Sequence, residues 1–598
     1  MPILRDLKTS SNHLVKVDKL NFVLVILVEF IFALTMLTPR LCLAKLPDAG
    51  EISNQLDKNS IQPDHFSHFE SPNDSVPKSA LPLEKSTNPE PTVKLHQIIV
   101  HCLNALEKDC EFQSITQPFL EKNLDFSQLQ ELTNLLNTFL KQQGWILANA
   151  YLPKQNLTEG TLHINVALGH IEKDAQGNLM TIENSQPFRI SKALVESRLE
   201  DSVNKAIVDS QSLERAILLL NDLPGIKAQS TFEKGNETGG SRLIINLKEG
   251  PIINGDLSAD NFGNTYTGLW NANINVRVND LLGNGEQLTL GGKKGENLNQ
   301  GYFAATTPIG YSAALLNIHY NYLDYMLGKE LKELEIHGDT QTIGTGLSYP
   351  IIRSKELSLW GNINYNYRTT QDFTLDKIAE QRFINQGILG LSSQYLDTLW
   401  NGAINQINYQ FLFDTIEKYT LNKSPNLEND YNKHNLHLSR LQRITQDISF
   451  YNALDIQIAT KNLASIDKFY LGGVNGIRAY PTGEASGDSG WINRFEIRYD
   501  MQNYLTLGDL QFVVFFDTGQ ITLNEQRKKN DLNNAGNQNN YILSGSGAGI
   551  NIIGRENFSI NMSWAHTLGG NPGVSLLHKD SAGGQDQQRF WLTTSVYF

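Results

Sequence analysis

The stretch LSLWGNINYNYR, residues 357–368, decides the class of this chain. Leu357, Leu359, Ile363, Tyr365 and Tyr367 alternate with Ser358, Trp360, Asn362, Asn364 and Asn366. A period of two puts one set on each face of a strand. The pattern recurs around it: Ala272, Ile274, Val276 and Val278 alternate with Asn273, Asn275, Arg277 and Asn279. Phe495, Ile497 and Tyr499 alternate with Arg494, Glu496, Arg498 and Asp500, and Phe558, Ile560, Met562 and Trp564 with Ser559, Asn561 and Ser563. About 16 such segments, each near the nine to eleven residues that cross a bilayer obliquely, follow residue 253. A soluble β-sandwich also alternates, but its strands run to about five or six residues. Aromatics at strand ends, such as Tyr365, Tyr367 and Trp564, suit the girdles at a membrane interface. Residues 253–598 are therefore expected to form an antiparallel transmembrane barrel, closed so that no edge meets lipid.

The bulk numbers fit that reading. A chain of 598 residues exceeds one core. A net charge of −13 excludes a general nucleic-acid binder, which carries basic stripes. The mean hydropathy of −0.32 is ordinary, as it is in a barrel that averages a lipid face with a polar lumen.

The start of the chain points to export. Arg5, Lys8, Lys16 and Lys19 precede an apolar run from Phe22 to Leu37, broken by Glu29, and Cys42-Leu43-Ala44 offers small residues for cleavage. Residues 1–44 read as a signal peptide, since the run falls short of the roughly 20 residues of a spanning helix. Pro39-Arg40-Leu41 is not a lipobox. Cleavage leaves Cys102 and Cys110, which either form a disulfide in an oxidising compartment or remain two buried thiols. No histidine stands at ligand spacing near them, so no metal is expected.

Residues 45–92, rich in Ser, Pro, Asn and Asp, read as a linker with one short helix near Ala49 to Lys58. Two α+β modules follow, at 93–171 and 172–252. In the first, Leu129, Leu132, Leu136, Phe139 and Leu140 share a helix face, with Asp125 or Ser127 as cap and Gly144 as stop. In the second, Leu213, Ala216, Ile217 and Leu220 lead to Pro224-Gly225. Neither module carries catalytic chemistry.

One loop needs separate treatment: YLGGVNGIRAYPTGEASGDSGW, residues 470–491. Its Gly487-Asp488-Ser489-Gly490 looks like a serine-protease nucleophile segment. No Ala-His-Cys precedes it, Trp491 follows it, and His566 sits inside an alternating strand, so a turn-rich loop is the better reading. Gly310-Tyr311-Ser312-Ala313-Ala314 is no complete nucleophile elbow, and no phosphate-binding G-x-x-x-x-G-K-[ST] occurs. The chain is not expected to be an enzyme. Arg478 reads differently. In residues 511–519, Phe512, Val514 and Phe516 share one parity while Val513, Phe515 and Asp517 share the other. If the first set meets lipid, Asp517 points into the lumen, and Arg478 on an inward-folded loop is a bidentate partner for it.

These residues resemble the two-partner secretion transporters, the outer-membrane haemolysin secretion/activation proteins. Leu471-Gly472-Gly473 through Tyr480 is similar to the family's loop-six segment, here placed at 465–490, whose core is Val-Arg-Gly-Tyr. Phe515-Phe516-Asp517-Thr518-Gly519 looks like the strand motif whose aspartate pairs with that arginine. Pro153, Gln155, Gly160 and Gly169 resemble the end of a first POTRA (polypeptide-transport-associated) domain, LERAILLLNDLPG at 213–225 the second POTRA helix, and Asp260-Asn261-Phe262-Gly263 the first barrel strand. Ile477 and Ala479 depart from the motif's valine and glycine.

The resemblance implies two tandem POTRA domains in the periplasm ahead of a barrel of about 16 strands in the outer membrane of a Gram-negative bacterium. It implies a latch of Arg478, Tyr480, Gly472 and Gly473 against Asp517, Phe515 and Gly519, cargo recognition near Pro153 and Gln155, and a plug helix within 48–58. The implied partner is an exported β-helical haemolysin or adhesin, captured partly by strand addition and passed unfolded through the lumen. Barrel-assembly machinery would read the terminal Phe598 during insertion into outer-membrane lipid. No cofactor, nucleotide or nucleic acid is implied. The nearest rival is a barrel-assembly insertase, which usually carries more POTRA modules than the two that fit here. A passive porin or receptor would carry none.

Overall fold

The structure is a computed structural model. It describes residues 47–60, 92–103, 112–167, 169–173, 177–183, 189–203, 209–237, 240–420, 430–505, 508–526, 538–555, 557–575 and 578–598. The signal-peptide reading, most of the linker and Cys110 fall outside them.

Helix α1, Ala49–Ser60, precedes two small α+β units. The first contains β1 (Gln97–Leu103), α2 (Phe126–Gln142), β2 (Asn149–Tyr151) and β3 (Thr161–Ala167). Strand β3 lies between β1, parallel, and β2, antiparallel. Asp125 starts α2 with a capping box: its carboxylate accepts the Gln128 N–H at 2.8 Å, and the Gln128 side chain accepts the Asp125 N–H at 3.0 Å. Leu129, Leu132, Leu136 and Leu140 recur at helical spacing and are buried against the sheet. Gly144, at φ +89°, ends the helix in the left-handed conformation that favours glycine.

The second unit contains β4 (His170–Ile171), β5 (Met180–Glu183), α3 (Lys192–Val203), α4 (Ser210–Asn221), β6 (Ile226–Lys234) and β7 (Gly240–Glu249). Strand β7 runs parallel to β4 and β5 and antiparallel to β6. Asp209 caps α4 through the Gln211 and Ser212 N–H groups. Leu194, Leu199, Leu213, Leu220, Leu243 and Ile245 close the core between helices and sheet.

Sixteen further strands form one closed antiparallel barrel. They are β8 (Ile253–Asp260), β9 (Asn271–Asn279), β10 (Gln287–Lys294), β11 (Leu298–Pro308), β12 (Leu315–Met326), β13 (His337–Arg353), β14 (Leu357–Thr374) and β15 (Lys377–Asp397). Then come β16 (Ala403–Thr420), β17 (Asp430–Arg443), β18 (Ile448–Ala459), β19 (Ser489–Leu505), β20 (Gly508–Thr522), β21 (Asn540–Gly554), β22 (Phe558–Thr567) and β23 (Gln588–Tyr597). Closure pairs β8 with β23 over Asp256–Asp260 and Thr593–Tyr597. The alternation maps onto inside and outside: Ile363, Tyr365 and Tyr367 are exposed on the outer face, while Asn366 is buried inside. Several strands outrun the nine to eleven residues expected; β15 has 21. Their ladders continue because β14 and β16 rise beside β15, so strand pairing satisfies the backbone beyond the bilayer.

The second α+β unit is clamped to one mouth of the barrel. Arg353, at the end of β13, forks onto Asp222 through Nε (2.9 Å) and Nη2 (2.7 Å). The Arg215 guanidinium donates to the Pro350 carbonyl at 2.7 Å, and Glu214 accepts the Lys355 N–H at 2.5 Å. At the neighbouring turn, Ser191 N–H donates to the Gly283 carbonyl at 2.7 Å. Both Arg353 and Asp222 are about four-fifths buried, with 20% and 21% of their side chains exposed. Asp222→Ala is expected to remove roughly 1.5–3 kcal/mol from this contact. Amide exchange across 214–224 should accelerate about tenfold or more in the intact protein; unchanged exchange would mean the clamp carries no load.

Candidate functional site

Between β18 and β19 the chain folds back into the lumen. Phe469 pairs with Gly487 and Tyr470 with Ser486, so the two limbs of the loop are joined at its base. Past that point the loop is compact. The Ile477 N–H donates to the Leu471 carbonyl at 2.7 Å and the Gly473 N–H to the Tyr480 carbonyl at 3.2 Å. The glycines have geometric reasons. Gly473 sits at φ +115°, and a Cβ on Gly472 would collide with the Pro481 carbonyl oxygen.

Arg478 is aimed at the wall. Its Nε and Nη2 fork onto Asp517 of β20 at 2.9 and 2.7 Å, and its backbone N–H donates to the same carboxylate at 3.1 Å. Nη1 reaches Glu496 of β19 at 2.8 Å. The guanidinium lies 3.5 Å from the centre of the Phe515 ring, a stacked cation–π contact. Glu496 in turn takes Arg498 at 2.8 Å. Two arginines and two carboxylates therefore alternate in a buried row of zero formal charge, as a low-dielectric setting requires.

The structure brings together Gly472, Gly473, Arg478, Tyr480, Phe515, Asp517 and Gly519. A Cβ on Gly519 would approach the Trp491 carbonyl to 2.5 Å and Leu471 Cδ2 to 3.1 Å, so the strand motif's glycine makes room for the loop. Tyr480 packs into the apolar cluster around Ile477 and Phe515. The motif departure at Ala479 also has its accommodation: a Cβ on Gly545 of β21 would sit 2.5 Å from Ala479 Cβ. Glu496 and Arg498 escaped the sequence reading as latch members. The signal was present, since outward Phe495, Ile497 and Tyr499 force them inward.

The Gly487–Gly490 segment serves as a loop anchor. Asp488 is fully buried and accepts the Leu463 and Glu525 N–H groups at 3.1 and 3.0 Å. The Ser489 hydroxyl oxygen accepts the Ala459 N–H at 2.9 Å.

Helix α1 lies in the lumen beside this loop. The Ala49 N–H donates to Asp372 at 2.8 Å, the Thr340 hydroxyl donates to the Ala49 carbonyl at 3.3 Å, and Asp48 stands 3.7 Å from Arg382. On its other side, Asn54 donates to the Lys468 carbonyl at 2.7 Å. Ala49, Ile52 and Leu56 bury one face against Leu323, Tyr325 and Leu331. Loop and helix fill the half of the lumen away from the clamped α+β unit. A cavity of about 500 Å³ remains beside them, lined among others by Asp256, Asn273, Asn275, Asn561 and Arg478.

The loop also straps the seam where the barrel closes. Trp591 of β23 donates its indole N–H to the Arg478 carbonyl at 2.7 Å, and Thr482 donates to the Phe262 carbonyl beyond β8 at 3.0 Å. Phe262 and Trp591 meet edge to face at 5.9 Å.

Pro153 and Gln155 lie in the first α+β unit. The Gln155 side chain donates to the His163 carbonyl and accepts the His163 N–H, both at 2.7 Å, continuing the ladder where β2 stops. Its amide is thus used internally to hold β3. Cys102 is disulfide-bonded, its partner lying outside the described residues. Among the described residues, His170, Glu172 and Glu237 bring three ligand-type groups within 4.8 Å. Glu172 already accepts the Asn236 and Glu237 N–H groups at 2.8 and 2.6 Å, which hold its carboxyl below the usual carboxylate range. That cluster closes a hairpin.

Comparison with known proteins places these features. Residues 239–552 match the family model described as haemolysin secretion/activation protein ShlB/FhaC/HecB, and residues 93–169 match the POTRA domain, ShlB-type. The chain is 25% identical over 561 residues to the heme/hemopexin transporter protein HuxB of Haemophilus influenzae, covering 92% of this chain and 94% of that one. It is 21% identical over 506 residues to the outer membrane transporter CdiB of Escherichia coli, covering 81% and 84%. The solved structure of CdiB from Escherichia coli superposes with a TM-score of 0.70 at 18% identity, over 93% of this chain and 100% of that one.

Proposed function

The chain belongs to the haemolysin secretion/activation family, ShlB/FhaC/HecB, a family of outer-membrane secretion transporters with periplasmic POTRA domains, and we propose that it exports one partner protein through its own lumen. The partner enters from the periplasm, where the two POTRA units receive it, in part by strand addition to an open sheet edge. It crosses unfolded and folds outside. With no nucleotide in the periplasm, folding beyond the membrane supplies direction. Relatives named as a heme/hemopexin transporter and a hemolysin transporter suggest an exported toxin or binding protein as cargo.

One observation carries this reading: α1 and loop six both occupy the lumen, each held to the inner wall by polar contacts between side chains and backbone instead of by strand pairing with the barrel. A passive pore has no use for two removable occupants. The test is export of a candidate partner rich in β-helix repeats, encoded beside this gene, with the full chain and with residues 93–250 deleted. Partner in the medium with the full chain and trapped in the periplasm with the deletion is the expected result. Unchanged export by the deletion variant, or loss of other outer-membrane barrels in cells lacking this protein, would overturn it; the second outcome would favour an insertase.

A further inference from the structure

The turn between β15 and β16, residues 398–402, lies at the same end of the barrel as the Arg353–Asp222 clamp, and so on the periplasmic side. Its two largest side chains point away from everything: Leu399 is 63% exposed and Trp400 81%. Trp400 and Asn401 both adopt positive φ, 48° and 78°, a conformation that costs a bulky residue energy. A backbone held in this way to display tryptophan to water has no physical rationale.

The groups beneath the turn explain the display. Asp397, Asn405, Arg440 and Gln442 share the outward parity of Leu389, Leu391, Tyr395, Ile407 and Tyr409, so they stand on the lipid face of the barrel. There they satisfy one another. Arg440 Nη1 donates to Asp397 at 2.6 Å and to Asn405 at 2.7 Å, and Asn405 donates to Asp397 at 2.7 Å. Arg440 Nε donates to Gln442 at 3.2 Å. The Gln442 amide nitrogen lies 3.1, 2.8 and 3.1 Å from the carbonyls of Leu399, Trp400 and Gly402. Asn401 donates to the Ile444 carbonyl at 3.0 Å, and the Leu399 N–H to Asp397 at 3.0 Å. The ion pair is neutral, and the turn's carbonyls face inward, where the Gly402 N–H serves Leu399, the Arg443 N–H serves Gly402 and the Gln442 amide serves Trp400.

Water would solvate such carbonyls for nothing; lipid would not, and there each unsatisfied backbone group is costly. We infer that residues 398–402 form an interfacial anchor, with Leu399 and Trp400 set into the inner leaflet of the outer membrane. The occupant is lipid because the patch continues the barrel's lipid belt: Tyr395 and Leu391 lie below it on the same face, and Ile444, 48% exposed, flanks it. Tryptophan suits the site, being apolar in body and polar at one edge. Fixed here, the barrel is held at one depth, and the POTRA unit clamped two strands away takes its height from the bilayer.

The test uses the intact protein in vesicles of phosphatidylethanolamine and phosphatidylglycerol. The Trp400 signal is the difference between wild type and Trp400→Phe, each checked for a folded barrel by heat-modifiable migration. Quenching of that difference by lipid brominated near the glycerol end, at least twofold stronger than by aqueous iodide, is expected. A spin label on Leu399→Cys gives a reading that leaves Trp400 intact: oxygen should relax it more than a water-soluble nickel chelate does. Iodide quenching without a brominated-lipid effect, or preferential relaxation by the nickel chelate, would place the turn in water or against a periplasmic protein and sink the inference.

Discussion

Arg478→Ala should be the most damaging single substitution in the barrel. It strips Asp517 of both side-chain donors and leaves a fully buried carboxylate with one backbone N–H. Removing one partner of a buried pair costs roughly 3–5 kcal/mol, because the remaining charge has nowhere to be solvated. The denaturant midpoint of the barrel in vesicles should fall accordingly, and partner export should fall with it. Arg478→Lys should lie between, since an ammonium cannot fork onto Asp517 and reach Glu496 at once. The double variant Arg478→Leu/Asp517→Leu separates the two effects. Glu496 keeps Arg498, so no charge is stranded, and the midpoint should recover while export stays low if the arginine itself matters. Wild-type midpoint and export in Arg478→Ala would remove the latch from the account altogether.

Gly50→Val should eject the plug. A Cβ at position 50 would lie 2.6 Å from the Ser465 hydroxyl, 2.8 Å from the Ile466 nitrogen and 3.0 Å from Ile466 Cβ. The serine can rotate, but the nitrogen belongs to a turn whose carbonyl and amide groups are already bonded. Helix α1 has to give way, against a hold that includes Ile52 and Leu56, each worth about 1.5–3 kcal/mol when buried. Single-channel conductance in planar bilayers should rise several-fold and match a chain lacking residues 47–60. Wild-type conductance in both would show that α1 does not close the lumen. A rise in the deletion alone would show that the helix tolerates the extra methyl groups by shifting in place.

Much of this molecule is legible in the linear chain because a bilayer sorts side chains so strictly. Lipid accepts Ile363, Tyr365 and Tyr367 and refuses Asn362, Asn364 and Asn366, so a period of two survives along the strands and their parity can be read by eye. The same parity puts Asp517 and Glu496 inside, and glycines at 472, 473 and 519 flag a close backbone approach. Helix α2 announces its cap and stop through Asp125 and Gly144, because those signals act within one turn.

What the chain does not carry locally is which inward groups meet. Glu496 and Arg498 are same-face neighbours on β19, but Arg478 reaches Glu496 and Asp517 together only because β19 and β20 are paired and the loop folds back onto them. Asp372 receives the first amide of α1 from 323 residues away. Trp591 reaches the Arg478 carbonyl across 113 residues. The Gln155 amide was readable as a motif member, yet its work, finishing the ladder of β3, depends on where β2 stops. The outward polar set under Trp400 looks like an error in the alternation until the turn folds over it. Sequence determined the barrel, the paired α+β units and the sign of each lumen charge, since each follows from one residue's preference for lipid, water or a helix end. Tertiary structure alone decided the pairings, because a buried charge is stable only beside a specific opposite charge, and closure of the barrel chooses which one that is.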